Sequence, residues 1–598
     1  MSELKIHQKL TTLLTRSELT KLALLFVGIL IMATLELVGV GSIVPFMAVI
    51  STPEVIHENS FLSSVFHLFN IDDENEFIIL LGVGIIVLML LSNSSQAFIT
   101  WKITHFTQNL LHRLQVRLLE QYLLRPYDFY LNRNTSELGK NIMSEVSAVI
   151  NGVVHQALIG LTKIFIVIFI VGLLLYIDPI VAITTTIVLL GSYLKIFRLV
   201  KNQLTRIGIK KTTAVFQTFK AANEAMSGIK EIKLRNSEKV FINRFIPPSK
   251  ESADCAALAS IISSLPRYLL EVIAYGGIIA ITIIIISTNP GRSNEVIPMI
   301  SLYAMAGYRL MPALQVIYGA VSNIKYNMPA FNILVNDFIK STEQISKELE
   351  QKPIELNDKI EIRGISFSYQ NSEYPVIKNL TLDIKHNTTV GLIGSTGAGK
   401  TTLIDIILGL LTPETGSLIV DGKEINQSNI PAWQKNIGYV PQTIYLTDDT
   451  VERNIAFAVE EEEIDRELVI NAAELANLDK FILTLPDQYE TSVGERGVRL
   501  SGGQRQRIGI ARALYHNPIV LVFDEATSSL DGITEVAIMD AIHNLSHKKT
   551  IIMIAHRLST VKECDVIHMM KDGEIVVSGT YQQLIAENEE FQQMAKTI

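Results

Sequence analysis

Six apolar runs within the first 322 residues limit what this chain can become. They cover about residues 21–49, 77–100, 153–177, 179–199, 257–287 and 296–322. A helix needs about 20 apolar residues to cross a hydrocarbon layer of roughly 30 Å, and each run is long enough. Inside lipid the backbone must pair its own N–H and C=O groups, so such runs fold as helices. Composition agrees, with 48% hydrophobic residues against 19% charged ones and a mean hydropathy of +0.31. The first run is too long for a signal-peptide core.

The charges between the runs predict their orientation. The segment after the second run carries Lys102, Arg113, Arg117, Arg125, Arg133 and Lys140. The segment after the fourth carries Lys201, Arg206, Lys210, Lys211, Lys220, Lys230, Lys233, Arg235 and Lys239. The loop 51–76 has no Lys or Arg and six acidic residues, Glu54, Glu58, Asp72, Asp73, Glu74 and Glu76. Positive-inside bias therefore puts both termini and both long basic segments in the cytoplasm of a cell (inner) membrane protein. The net charge of −8 argues against nucleic acid as a partner. Cys255 and Cys564 fall on the cytoplasmic side, where a disulfide is not expected.

The remaining part, residues 359–598, is of another kind. Residues 341–358 are polar and charged, and read as a linker from the six-helix region 1–340. Gly394, Ser395, Thr396, Gly397, Ala398, Gly399, Lys400 and Thr401 follow the pattern of a glycine, four residues, Gly-Lys and Ser/Thr. An apolar strand-like run precedes them, and a helical pattern starting Thr401, Thr402 follows, which is the context a phosphate-binding loop needs. Glycines let backbone N–H groups close on phosphate, and the helix N-terminus adds partial positive charge. Lys400 would reach the β/γ-phosphates of ATP, and Thr401 would place a hydroxyl on Mg²⁺. Further on, the apolar run 519–523 ends in Asp524 and Glu525. Asp524 fits a Mg²⁺-holding role at a strand end. Glu525 is placed to act as general base on the attacking water.

Leu500, Ser501, Gly502, Gly503 and Gln504 resemble the signature sequence of ATP-binding-cassette (ABC) proteins. The resemblance extends over roughly residues 355–598. It implies that Tyr369 stacks on adenine, that Gln442 is the glutamine serving the metal and γ-phosphate, and that Asp531 closes the D-loop. His556 resembles the family's switch histidine, a catalytic γ-phosphate sensor. The six spans with two long cytoplasmic segments resemble the type IV exporter fold. The resulting fold class is an all-α six-helix transmembrane domain followed by an α/β P-loop nucleotide-binding domain. Residues 126–139 resemble that fold's first coupling region. In this family the signature of one chain closes on ATP held by another. One phosphate loop and one signature per chain therefore imply a homodimer, with pairing to a different half-transporter as the alternative.

Ionisable residues within membrane spans are costly and point to function. Arg267 lies in the fifth run with Glu271 one turn later, Arg309 in the sixth and Glu36 in the first. The segments around Arg267 and Arg309 resemble bacterial lipid-linked oligosaccharide flippases. That resemblance implies that both arginines bind the pyrophosphate of a polyprenyl-linked saccharide. At Ser92 the flippases carry a further arginine, so the match departs there. Residues 61–69 resemble the flippases' external amphipathic helix. The function expected is ATP-driven movement of a lipid-linked saccharide precursor from the cytoplasmic to the outer leaflet. The alternative is a multidrug or lipid exporter of the same family.

Overall fold

The computed structural model describes residues 13–69, 73–177, 179–288, 293–341, 352–370, 372, 374–525, 532–555 and 557–596. The chain divides into two compact units. One comprises Met1–Arg125 with Asn132–Ile345, the other Pro126–Leu131 with Ser346–Ile598.

The first unit is built from long helical rods. Rod 1 spans Arg16–Ser51, rod 2 Glu74–Leu123 and rod 3 Thr135–Ile177, and all three are long and apolar enough to cross a membrane. The fourth, fifth and sixth predicted spans fall on rods 4 (Pro179–Ser227), 5 (Glu238–Thr288) and 6 (Ser293–Ser341). Thr15 starts rod 1 with a reciprocal capping box to Glu18, and Asp73 caps rod 2. These caps satisfy N–H groups that a helix start leaves unpaired. Rod 3 packs mainly on rods 6 and 1, and rod 4 on rods 5 and 6. Large apolar side chains such as Leu24, Ile31, Ile79, Leu90, Ile168 and Ile187 stay exposed. Lipid tails are as apolar as leucine, so an outward apolar face carries no penalty there. Rod 5 runs on as helix through Pro247, Pro248 and Pro266. Of residues 61–69, expected as an external helix, all but the last fall in the helix Ser60–Leu68, and Phe66 packs edge-on against Phe77.

Rod 3 is irregular in its first half. Two π-helical turns, Asn141–Glu145 and Ile150–Val154, flank the short α-helical stretch Val146–Val149. The buried carboxylate of Asp337 on rod 6 ties this region to rod 2. It accepts from Tyr122 Oη at 2.7 Å, Asn141 Nδ2 at 3.1 Å and Arg133 Nη1 at 3.4 Å.

The second unit holds two sheets. A four-stranded antiparallel sheet has the order β2 (Ile377–Lys385), β1 (Lys359–Phe367), β4 (Thr415–Val420), β5 (Lys423–Ile425). A six-stranded sheet has the order β10 (Glu574–Gly579), β9 (Val566–Lys571), β3 (Thr389–Gly394), β8 (Thr550–Ile554), β7 (Val520–Asp524), β6 (Ile437–Val440). From β9 to β6 this sheet is parallel, and only β10 runs antiparallel. β7 and β8 are buried along their whole length. Both faces of a parallel sheet are covered, which explains their unbroken apolar sequences. Trp433, fully buried, donates from Nε1 to Ile407 O at 2.7 Å. Ile354 and Leu356, inside the stretch read as linker, are buried in this unit's core. Residues 342–351 of that stretch lie outside the described residues. Cys255 and Cys564 are free thiols, both buried.

Candidate functional site

β3 sits between β8 and β9, and the phosphate loop leaves its C-terminal end. Ligands of open α/β sheets bind at such strand ends. Helix α1, Lys400–Ile407, begins directly after the loop, with Gly399 as its N-cap at φ +97°. A Cβ at Gly399 would come 3.0 Å from Val376 O in addition to the left-handed backbone, so glycine is required there. Ser395, Thr396 and Gly397 are exposed, whereas Ala398 is buried. Lys400 is 6% exposed, and its Nζ donates to Gly394 O at 2.8 Å and Ser395 O at 3.0 Å. Burial pulls its ammonium pKa down, while Glu525 and Asp524 act to raise it. Thr401 is exposed at the start of α1, and Thr402 is buried. Tyr369 Oη lies 3.0 Å from Thr402 Oγ1, which brings its ring to the root of the loop.

The acidic pair is held from two directions. Asp524 closes β7 and is buried. Glu525 turns out of the strand at φ +49°, a left-handed conformation uncommon for a non-glycine residue. Gln442 Nε2 donates to Glu525 Oε2 at 2.5 Å. The Tyr439 hydroxyl is hydrogen-bonded to Asp524, and burial followed by the Asp524 charge raises its phenol pKa. On α1, burial and then the charge of Asp524 push the Asp405 carboxyl up to about 6. Tyr127, from the Pro126–Leu131 segment of this unit, is within electrostatic reach of Asp405 and Tyr369.

Sequence reading missed Asp405 and Tyr439. The signal for Asp405 was its i, i+4 spacing from Thr401, which puts both on one helix face. Tyr439 offered only its position three residues before Gln442.

Ser501 begins helix α2, Gly502–Leu514, and its Oγ accepts from Gln504 N at 3.3 Å. Gln504 Oε1 in return accepts from Ser501 N at 2.8 Å, so this side chain caps its own helix. Ser501 and Gly502 are exposed, and Gly503 is buried. Arg512, at the far end of α2, was not foreseen. It donates to Tyr445 O at 2.8 Å and Asn454 O at 2.9 Å, and lies over the Phe457 ring. Burial brings its pKa down to about 10. The signature helix is thereby fastened to the chain following Gln442. Asp531 and His556 lie outside the described residues.

In the membrane unit, Arg309 Nη1 meets Glu36 Oε1 at 3.3 Å. Lys163 on rod 3 lies within electrostatic reach of both. Among the described residues, the cluster thus holds two basic side chains and one carboxylate. Lys163 escaped sequence reading because it sits singly in an apolar run. Arg267 Nε contacts Glu271 Oε1 at 2.6 Å on the same helix, and its side chain is 51% exposed. Ser92 is buried.

Comparisons with known proteins bear on the family and the fold. The family profile for the ABC transporter transmembrane region matches residues 19–305, and that for the ABC transporter matches residues 377–528. An ATP-dependent lipid A-core flippase of Syntrophus aciditrophicus is 30% identical over 530 residues, covering 87% of this chain and 86% of that one. The heterocyst differentiation ATP-binding protein HepA of a Nostoc species is 31% identical over 496 residues, covering 80% and 77%. A solved bacterial Atm1-family ABC exporter with ATP bound superposes with a TM-score of 0.79 at 20% identity, covering 96% of this chain and 98% of that one. The protein is a membrane ATPase of the exporter class, with a helical transmembrane region of type IV fold ahead of its α/β cassette. The chain belongs to the ABC transporter family, and ATP hydrolysis drives its transport.

Proposed function

We propose that this transporter is a flippase that moves a lipid-linked saccharide precursor from the cytoplasmic to the outer leaflet. The observation carrying the reading is the intramembrane cluster of Glu36, Lys163 and Arg309, with its excess of positive charge. Such a cluster suits an anionic headgroup, because an arginine fork pairs well with phosphate. The relatives named as lipid A-core flippases handle a lipid, which supports the same direction. Arg267, half engaged by Glu271, is the second substrate-binding arginine in this reading.

Two copies form the working unit, each cassette lending Ser501, Gly502 and Gly503 to ATP held by its partner. Residues Gly394–Thr402 hold the phosphates through loop N–H groups, Lys400 and the start of α1. Tyr369 stacks on the base. Thr401, Gln442 and the buried Asp524 would hold Mg²⁺, which needs few protein carboxylates. Its charge would offset that of the transferred phosphoryl group. Glu525, aimed by Gln442 and its own left-handed backbone, takes the proton of the attacking water. His556 senses the γ-phosphate, and Asp531 joins the closed interface. ATP binding closes the cassettes, and hydrolysis resets them. Both termini and the cassette face the cytoplasm of the cell membrane, where ATP is available.

The test is reconstitution in liposomes bearing a polyprenyl-pyrophosphate oligosaccharide, with leaflet exposure followed with and without ATP. ATP-dependent movement that disappears in Glu525→Gln supports the flippase. If ATPase activity is intact but responds to apolar drugs or phospholipid without glycolipid movement, the protein is a general exporter.

A further inference from the structure

A cavity of about 560 Å³ opens between rods 3, 4 and 6, apart from the cluster around Arg309. Its polar lining comes from Ser147, Asn151 and Gln156 on rod 3, Lys211 on rod 4, and Asn323 and Asn327 on rod 6. Against the spans read from the sequence, these residues lie at the cytoplasmic ends of the third and sixth spans, and on the cytoplasmic prolongation of the fourth. Three features mark the cavity as built for a ligand.

The first is the wall. Asn151 and Gly152 belong to one π-helical turn of rod 3, and Met143 and Ser144, which also line the cavity, belong to the other. Single π turns inside α-helices occur frequently at functional sites, because the extra residue displaces side chains that a regular helix would align. At the floor the helices nearly touch. A Cβ on Gly152 would fall 2.2 Å from Asn327 Nδ2, so a larger residue at this position would displace the Asn327 amide.

The second is the charge. Lys140 and Glu145 beside the cavity neutralise each other at 3.0 Å, both nearly fully buried. Lys211 has no ion pair among the described residues. Its Nζ is 3.5 Å from Asn327 Oδ1 and 5.5 Å from the Tyr326 ring centroid. Burial lowers its pKa, with Glu145 opposing and Lys140 adding to the effect. A half-buried ammonium with such weak partners gains from an incoming anion.

The third is the hydrogen-bonding repertoire. The Gln156 side chain has no hydrogen-bond partner among the described residues, and the Asn323 side chain uses only its Nδ2, toward Gly319 O. Amides donate and accept, which matches a polyhydroxylated ring. The exposed Phe219 ring offers an apolar surface for the C–H face of a sugar.

We infer that this cavity is a loading site for a glycosyl phosphate group, with Lys211 on the phosphate and the amides of Gln156 and Asn323 on sugar hydroxyls. The inference rests on the flippase reading and adds a cytoplasmic station below the Arg309 cluster. Lys163 lies seven residues beyond Gln156, about 10 Å along the same helix at 1.5 Å per residue.

The test uses the full-chain protein in nanodiscs and two probes, glucose 1-phosphate and farnesyl-pyrophosphoryl-N-acetylglucosamine. Dissociation constants are measured by thermophoresis for wild type, Lys211→Gln, Lys211→Arg and the cavity-filling Ala148→Trp. The expected result is at least a tenfold weaker affinity in Lys211→Gln and Ala148→Trp, with Lys211→Arg within about threefold of wild type. Lys211-dependent binding of both probes assigns the site to the phosphosugar itself, and binding of the farnesyl probe alone assigns it to a lipid headgroup. Either outcome supports the site. Equal affinity in wild type and both disruptive variants overturns it. If liposomes show no glycolipid movement yet Lys211-dependent binding persists, the flippase reading fails and the cavity stands. If glycolipid moves but binding ignores Lys211, only the cavity fails.

Discussion

Arg309 Nη1 and Glu36 Oε1 meet at 3.3 Å between the sixth and first rods, with the glutamate side chain 5% exposed. The arginine expected from sequence to bind a pyrophosphate is thus already engaged by a carboxylate. Arg309 Nε and Glu36 Oε2 are buried with no hydrogen-bond partner among the described residues, so the pair leaves capacity for further contacts.

Removing one partner leaves an uncompensated buried charge, which costs about 3 kcal/mol or more. Glu36→Gln should therefore lower the melting temperature of the purified protein more than the double variant Glu36→Gln/Arg309→Met does. A double-mutant cycle by thermal unfolding checks this. Additive effects would mean that the pair is not coupled. Arg309→Ala should also reduce glycolipid movement at least tenfold, and unchanged movement would leave Arg309 a structural residue.

Glu525 stands at the end of β7 in a conformation that a regular strand cannot supply. A positioned general base contributes about 10²–10⁴-fold to rate. Glu525→Gln should cut steady-state ATP hydrolysis at least a hundredfold while ATP traps a closed dimer detectable by cross-linking. Hydrolysis near the wild-type rate would remove Glu525 from the base role.

Tyr369 presents its hydroxyl to Thr402, and its ring is the one proposed to stack on the nucleotide base. Base–aromatic stacking is worth about 1–3 kcal/mol. Tyr369→Ala should weaken ATP binding by roughly fivefold to a hundredfold, while Tyr369→Phe should lose much less. A fluorescent ATP analogue titrated into each variant measures both. Equal losses in the two variants would assign the role to the hydroxyl instead.

His568 on β9 is 6% exposed and shares a hydrogen bond of 2.7 Å with Ser578 Oγ. Burial pushes its pKa from 6.5 down to about 4. The unfolded chain therefore binds a proton that the folded cassette refuses. Stability from this group is full above pH 6.5 and is lost as pH falls toward 4, by at most about 3 kcal/mol. Replacing it in His568→Gln should flatten the fall in cassette melting temperature between pH 6.5 and 4.5. An unchanged slope would show that His568 titrates like an exposed histidine.

The fold was largely legible because two physical constraints act locally. Apolar runs of membrane length must be helical, and the loop from Gly394 to Thr401 carries its glycines and lysine in consecutive positions. The strand–loop–helix order around that loop, and the acidic end of β7, follow from the same short-range patterns. What neighbours what across the chain was not legible. Glu36 and Arg309 are 273 residues apart, and Gln442 and Glu525 are 83 apart. No periodicity joins such pairs, so only packing of the rods and alignment of parallel strands brings them together. Lys163 reads as one charge in an apolar run until rods 1 and 6 deliver Glu36 and Arg309 beside it. The π turns of rod 3 and the end of the linker near Ile354 were hidden for the same reason. Sequence alone pointed to the apolar segments of membrane length and to the loop with a phosphate-binding pattern. Tertiary structure decided which charges are paired, because burial and partner distance arise only after distant helices and strands have packed.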